Sequence, residues 1–565
     1  MLRAEEGAAQ PLEEWTHTEM DIHNDKPHFS SADLTDFLAC RHLTALERLS
    51  ANGRVKRPFF DDPMLEVLRQ RGLEHEQDYL RWLAQTGKRI VQIERSNSNA
   101  LEVTLRAMRV GADAIVQGRL EHQSWAGWAD VILRVPGESI FGSWRYEPVE
   151  TKLATETRGA TLIQLCLYAE LLSAIQAAPP EVLRVITPDT DFEAECYRFK
   201  EFRAYFRLVR RNFELYLAKP LPESIMAALP YPDPVAHCEI CNWSRQCEAR
   251  RQADDHISLV AGIQESQRTE LKDWGVVTLT ALAELPLPLS RKPSRGSAKT
   301  FERLREQARL QCEARSSRSL PYELLPIEPE QGLAALPFPS HLDIFLDLEG
   351  DRFAERGGFE YLFGYAFRKG SQSVRYQAIW ALSSDAEKAA FEKLIDFIID
   401  CRAHDSRMHV YHYAAYEPTA MKRLMGKYAT RADELDTLLR AEVFVDLYSV
   451  VRRGLRAGID SYSIKKLEPL YGLVREVDLQ MASRHLRAVE YAIAKKDAGL
   501  LTPELLEAVR SYNKDDCVSA LELRSWLETV RAAEERRSGV VLPRPTPPEL
   551  RLSEKLGEQL VRIRT

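Results

Sequence analysis

Three groups of side chains in this sequence have the types and spacing that metal chemistry requires. Cys238, Cys241 and Cys247 stand in CEICNWSRQC as a C-x2-C-x5-C run, close enough for one metal centre to gather three thiolates. The fourth ligand must come from elsewhere. Cys40, in SADLTDFLACRH, lies near the other edge of the same stretch, and a metal joining the two edges would stabilise the domain by closing a long loop. Four thiolates suit a structural zinc ion as well as an iron-sulfur cluster, and the spacing leaves both open. Cys166, Cys196, Cys312, Cys401 and Cys517 sit in apolar or helical contexts and read as small core residues.

Within the cysteine bracket, Asp130 opens the strand-like DVILRV, and Glu150 and Lys152 lie in VETK. Residues two apart on a strand share a face, so Glu150 and Lys152 should enter one site. Asp130 and Glu150 would hold a hard divalent cation, Mg2+ or Mn2+, while Lys152 orients the attacking water or stabilises phosphorane charge. The plain alternative for E-x-K is a solvated strand face. A second pair, Asp347 and Glu349 in FLDLEGD, repeats the two-residue spacing. Like charges on one face are costly unless a cation binds. Far downstream, SYNKDDC supplies Tyr512 and Asp516, four apart and so neighbours on an expected helix.

The elements that must carry these residues follow from periodicity. PMLEVLRQRGLEHEQDYLRWLAQTG (63 to 87) reads as an amphipathic helix, and WADVILRV and WRYEPVETKLA as strands separated by a Pro-Gly turn. GATLIQLCLYAELLSAIQ (159 to 176) places Leu162, Leu165, Ala169 and Leu172 at helical spacing, and LRVITP returns as a strand. Helix, strands, helix, strand is an α/β order. Residues 253 to 337 read as a small helical connector, with two short helices around Gly275, Thr278 capping the second, and a Pro- and Ser-rich basic loop over 286 to 299. From 338 to 540, HLDIFLDLEGD, FEYLFGYAFR and VRYQAIWAL form a meander. Ser384 and Glu387 box the start of a helix, and MHVYHY is a buried strand. Residues 1 to 27 read as a disordered leader and 541 to 565 as an exposed helical tail.

At 565 residues the chain should hold two to four domains. Its net charge of -7 argues against a nonspecific nucleic-acid coat protein. It leaves room for a nuclease, whose basic residues are local. RLVRRN (207 to 212) and VVRRGLR (450 to 456) are such runs, or equally solvated helix faces. With 45% hydrophobic residues and no uninterrupted apolar run of membrane-spanning length, no membrane role is expected. An acidic start without an apolar segment points to the cytoplasm, where disulfides are rare.

Two resemblances join these pieces. Asp130, Glu150 and Lys152 resemble the motif of the PD-(D/E)XK nucleases. His75 in GLEHE matches the upstream metal-binding histidine of their RecB-like branch, and Gln164 and Tyr168 match its Q-x3-Y element. A lone upstream cysteine, that core, and then a C-x2-C-x5-C run resembles the iron-sulfur nucleases of the AddB type and of CRISPR adaptation. This implies a 4Fe-4S cluster on Cys40, Cys238, Cys241 and Cys247. Asp347, Glu349, Tyr512 and Asp516 resemble the tyrosine-bearing DEDD exonucleases of the RNase H-like fold, in which three carboxylates carry two ions and the tyrosine orients water.

That family's middle motif is an aspartate in N-x3-F-D, whereas YHYAAYEP offers Glu417. Asp446 is a weaker substitute. The longer glutamate shifts the oxygens, so a nucleic-acid-binding factor that no longer cuts is the competing reading. The two-domain order, over residues 28 to 530, resembles RecB-like nucleases fused to an RNase H-like domain. It implies an exonuclease on single-stranded or end-bearing DNA, with RNA or hybrids as an alternative for the second site. Larger relatives continue into a helicase. No G-x4-G-K-[ST] loop occurs here, so a helicase partner would act in trans.

Overall fold

The computed structural model describes residues 21–23, 26–58, 63–154, 156–188, 191–220, 229–317, 319–351, 358–369 and 373–546. It divides into two compact units, Met1–Ala249 and Arg250–Thr565, both mixed α/β. Residues 1 to 20 of the expected leader and 547 to 565 of the expected tail lie outside the described residues.

In the first unit, β1 (Asp21–His23) and β2 (Lys26–His28) pair antiparallel inside the stretch read as a leader. α1 (Ser31–Ala39) starts at a reciprocal cap: the Asp33 carboxylate accepts from Ser30 N at 2.7 Å, and Ser30 Oγ accepts from Asp33 N. Cys40 ends α1 and caps α2 (Arg41–Ala51), its Sγ accepting from Leu43 N at 3.4 Å. After α3 (Pro63–Gln85) come β3 (Ile90–Gln92), α4 (Ala100–Arg109), β4 (Ala114–His122), β5 (Trp125–Ser139) and β6 (Gly142–Thr151). α5 (Gly159–Gln176), β7 (Val182–Ile186), β8 (Glu195–Arg198) and α6 (Phe199–Leu217) follow.

The six strands β3 to β8 lie side by side in chain order. β3 and β4 are parallel, as are β6 and β7, and the remaining pairs are antiparallel. α5 packs into the main core through Leu165, Leu167, Ala169 and Leu172, all fully buried. Its eighteen apolar-rich residues are long enough to cross a membrane by length and composition alone. Here they are a core helix. The expected Pro-Gly turn is corrected. β5 runs through Pro136 and Gly137 to Ser139, and the chain reverses at Ile140 and Phe141. The pair register shifts between Pro136 and Ser139, and such a bulge tolerates a proline that has no N–H to donate.

α7 (Ser244–Ala253) runs across the boundary between the units. In the second unit, α8 (Glu265–Asp273) and α9 (Leu279–Ala283) flank Gly275. Thr278 Oγ1 caps α9 by accepting from Ala281 N at 3.0 Å, as its position implies. With α10 (Ala298–Ser316) they enclose a core of their own around Leu271, Leu282 and Phe301. This stretch is fastened to the rest of the unit: β9 (Tyr322–Leu324) pairs with a later strand, Leu455–Ala457, and Gln307 Nε2 donates to Ala457 O at 2.9 Å.

The meander is β10 (Ile344–Asp351), β11 (Phe359–Lys369) and β12 (Ser373–Trp380), followed by α11 (Ser384–His404) and β13 (Val410–His412). α12 (Tyr416–Tyr428), α13 (Ala432–Arg440), β14 (Phe444–Asp446), α14 (Leu447–Gly454), β15 (Leu455–Ala457), α15 (Ile464–Tyr471), α16 (Leu479–Lys495) and α17 (Pro503–Ser538) complete it. The sheet order is β12-β11-β10-β13-β14, antiparallel through β10 and parallel beyond. The cap of α11 is Ser383 rather than Ser384: its Oγ accepts from Ala386 N. Glu387 is buried instead, accepting from Glu360 N at 2.6 Å and Lys427 Nζ at 2.7 Å. The residues just past α17, to 546, form neither helix nor strand. Leu542 is buried and accepts from the Arg531 guanidinium.

Candidate functional site

Alternation along β10 decides where its carboxylates go. Ile344, Leu346 and Leu348 enter the core under α11 and α12, while Phe345 joins the core that includes Cys517 and Leu521 of α17. Asp347 and Glu349 share the Phe345 face and meet α17. α17 has Thr502 as its cap and Pro503 in its first turn. It brings Asp516 to the pair: ligand oxygens of Asp347, Glu349 and Asp516 lie within 4.8 Å of one another. Among the described residues this is the one group of three or more metal-ligand side chains so gathered. Burial, then the Asp516 charge, pushes the Glu349 carboxyl up to about 8. Burial and then Glu349 hold Asp347 well above its ordinary value. Such a cluster fits a divalent cation, which favours the ionised forms that burial opposes.

Residues without a sequence motif complete the site. Asn513, fully buried, donates Nδ2 to Asp347 Oδ2 at 2.7 Å and accepts from Tyr376 OH at 2.8 Å. It fits over Gly364, which pairs with Asp347 across β10 and β11. A Cβ on Gly364 would stand 1.5 Å from Asn513 Oδ1. Arg475 donates to Asp516 Oδ1 at 2.6 Å and grips Glu468 through Nε and Nη2. Lys465, on α15, donates to Tyr512 OH and stands 3.9 Å from Asp516 Oδ2. Asp515, next to Asp516, accepts instead from Glu476 N and Val477 N and pins the loop before α16. A cavity of about 420 Å³ opens beside the carboxylates, lined by Asp347, Asp516, Lys465, Tyr413, Tyr448 and Tyr462. Only Asn513 was within reach of sequence reading, as the residue after Tyr512 in SYNKDDC.

Glu417 does not join the group. It is buried on α12, with Oε2 lacking a hydrogen bond and His412 Nδ1 at 3.4 Å. That ring nitrogen is closer to Ala414 O, at 2.5 Å. Burial raises the Glu417 carboxyl. Asp446 is a cap: its Oδ1 accepts from Ala414 N and Tyr448 N, both at 2.9 Å.

In the first unit, β5 and β6 bring Asp130 and Glu150 together. Glu150 Oε1 accepts from Lys152 Nζ at 2.7 Å and Gln164 Nε2 at 2.8 Å, and Gln164 Nε2 also donates to Tyr168 OH at 3.2 Å. Tyr168 packs over Gly127, where a Cβ would meet its ring at 2.6 Å. Asp130 Oδ2 accepts from Thr151 N and Oγ1. Burial, and next the Asp130 charge, pushes Glu150 up to about 8. Burial works to lower Lys152, but Glu150 and Asp130 outweigh it and leave it raised. Glu150 Oε2 is buried with no hydrogen-bond partner, and an orphaned oxygen beside a second carboxylate fits a cation. His75 is not gathered with them. Its Nε2 lies 3.2 Å from Ile186 O, and its ring stacks on Phe192. Glu76, which no motif marked, feels the Asp130 charge and accepts from Gln117 Nε2 at 2.7 Å.

The cysteines are drawn near one another by packing of Leu43 and Leu46 of α2 against buried Trp243. Trp243 also donates Nε1 to Glu47 at 2.8 Å. Cys241 is pushed up to about 11, by burial first and then by Cys247, Cys238 and Cys40. Burial, and to a smaller extent Cys238, raises Cys40. The thiols nonetheless do not gather to within 4.8 Å as the carboxylates do.

Residues 344–528 match the family model RNase_H_2 of the RNase H superfamily. The second unit therefore carries an RNase H-like domain, a nuclease-type fold, with an acidic triad in it. No curated protein matches the chain.

Proposed function

We propose that this protein is a metal-dependent nuclease that hydrolyses DNA phosphodiester bonds at single strands or free ends. The observation that carries the reading is the convergence of Asp347, Glu349 and Asp516 beside an open cavity within an RNase H-like domain. Mg2+ or Mn2+ held by these carboxylates would supply charge neutralisation and a water of lowered pKa. The chain's own residues do the rest. The Tyr512 oxygen accepts from Lys465, which leaves its O–H to donate to the attacking water and orient it. Asn513 fixes the Asp347 carboxylate and Arg475 fixes that of Asp516, so neither must reorganise during reaction.

The first unit is proposed as a second, RecB-like site of the PD-(D/E)XK type. Asp130 and Glu150 would hold the ion there, and Lys152 would face the scissile phosphate. His75 is proposed as a further ligand once its ring leaves the Ile186 carbonyl. Cys40, Cys238, Cys241 and Cys247 are proposed to hold a 4Fe-4S cluster. Cys40 and the C-x2-C-x5-C run supply the four thiolates that such a cluster takes. A helicase partner in trans and a cytoplasmic setting complete the proposal.

The place of Glu417 outside the gathered triad favours a second reading, a nucleic-acid-binding assembly factor that does not cut. One experiment separates them. Labelled single-stranded DNA and RNA are incubated with wild type, Lys152→Ala, Asp347→Asn and the double variant in Mn2+. Each single variant is expected to lose a distinct product set and the double variant all cleavage. Salt-sensitive binding with no product above that of the double variant would establish the binding-only reading.

A further inference from the structure

We propose that the basic loop before α10 is a docking surface for the sugar-phosphate backbone of a nucleic-acid strand, which it holds outside the cavity beside the carboxylates. The proposal rests on the nuclease reading above and adds where the rest of the substrate lies. Residues 285–301 carry no acid, although the chain as a whole has a net charge of -7. Arg291, Lys292, Arg295 and Lys299 are all exposed there, and exposed Arg303 follows one turn after Lys299 on α10. None of the five has an ion-pair partner among the described residues. Arg305, Arg309 and Arg315, further along the same helix, are each paired with an acid. Clustered cations without acids beside them, on an acidic protein, are the footprint of a polyanion.

The loop is fixed in shape by its own bonds. Pro293 is buried, Ser294 N donates to Glu270 Oε1 at 3.0 Å, and Ser297 Oγ caps α10 by accepting from Thr300 N at 3.2 Å. Glu270, on α8, is engaged by Ser294 and by Trp274 Nε1 rather than by the cations. An ordered loop loses little freedom when a ligand binds. The helix that the loop starts also reaches the cavity wall. Gln307 Oε1 accepts from Tyr462 OH at 2.9 Å, and Tyr462 lines the cavity with Asp347, Lys465 and Asp516. Lys299 precedes Gln307 by eight residues, ~12 Å along α10, the length of roughly three to four phosphates of one strand at ~3.4 Å each. A strand held at the carboxylates is therefore long enough, after a few nucleotides, to meet the loop. An acidic protein or an anionic lipid surface offers charge as well, but the link to the cavity favours a strand that enters it. Contacts to phosphate position a strand without reading its sequence.

The test is equilibrium binding of labelled oligothymidine to the full chain across a salt series, in EDTA so that nothing is cut. Arg291→Ser/Lys292→Ser/Arg295→Ser is compared with Lys388→Ser/Lys393→Ser/Lys422→Ser, which removes the same charge from exposed positions of α11 and α12. Loss of three phosphate contacts lowers the slope of log affinity against log salt by ~2. The affinity advantage of wild type over the loop variant is therefore expected to shrink about 20-fold between ~50 and ~200 mM salt, with the control variant tracking wild type. Bound DNA should also shield Lys292 and Lys299 from amine acetylation and leave Lys388 and Lys393 reactive, a readout that needs no substitution. Equal salt slopes for wild type and the loop variant, or equal losses in both variants, overturn the proposal. So does loop-dependent binding to phosphatidylglycerol vesicles when DNA binding is independent of the loop. Loop-dependent binding with no Mn2+-dependent cleavage of DNA or RNA would refute the nuclease reading and leave the docking surface standing. Cleavage with a loop-independent salt slope would do the reverse.

Discussion

Gly364→Ala tests how the RNase H-like site is supported from beneath. Gly364 lies opposite Asp347 in the β10-β11 pair, and its missing side chain makes room for Asn513. An added Cβ would lie 1.5 Å from Asn513 Oδ1, 2.7 Å from its Cγ and 3.0 Å from Tyr376 OH. Asn513 is fully buried and engaged on both ends, so it cannot swing aside without surrendering its bonds to Asp347 and Tyr376. Overpacking of this kind costs about 1 to 3 kcal/mol. Leaving buried polar groups unpaired adds about 1 to 3 kcal/mol. The single variant is therefore expected to lose roughly 2 to 6 kcal/mol of unfolding free energy, together with Mn2+ affinity. In an Asn513→Ala background the clash is removed, and Gly364→Ala should cost under about 1 kcal/mol, the remainder being the Tyr376 contact. Urea unfolding of the four proteins of this cycle in EDTA measures the coupling. Equal costs of Gly364→Ala in both backgrounds would refute the packing argument.

Metal-free protein should lose stability as pH rises from about 5 to 8. Glu349 and Glu150 are each pushed from an ordinary 4.5 up to about 8, so the folded state holds protons that the unfolded state releases. The loss is at most ~1.4 kcal/mol per pH unit per carboxyl. Glu349→Gln should flatten the profile, and saturating Mg2+ should oppose it; a profile that rises with pH in EDTA would contradict these assignments. Glu387→Ala strands Lys427 beside the buried main-chain N–H of Glu360 and is expected to cost ~3 to 5 kcal/mol in chemical denaturation. Anaerobically prepared protein should carry about four iron and four sulfide per chain, with both lost in Cys241→Ser. Stoichiometric zinc without iron would replace the cluster by a zinc site.

The sequence by itself determined whatever repeats at short range. The two-residue spacing of Asp347 and Glu349 put both on one face of β10. The four-residue spacing of Tyr512 and Asp516 put both on one side of α17, and apolar residues at helical spacing made α5 a core helix. These follow from the strand and helix periods, which hold wherever the element forms. Tertiary structure decided which neighbours those faces meet. Asp515 and Asp516 are adjacent in the chain, yet one pins a loop and the other enters the triad, because α17 crosses β10 at one rotation only. Lys465 and Arg475 reach Asp516 because α15 and the segment after it pack along α17, a contact between stretches some 40 to 50 positions apart. Glu417 was legible as an acid after a strand, but α12 turns it toward His412. The Pro136-Gly137 step read as a turn because both residues favour one, until the pairing of β5 with β6 absorbed it as a bulge. Local periodicity orients a side chain on its own element. Only the packing of distant elements brings that side chain to a partner, and burial then sets the charge it carries.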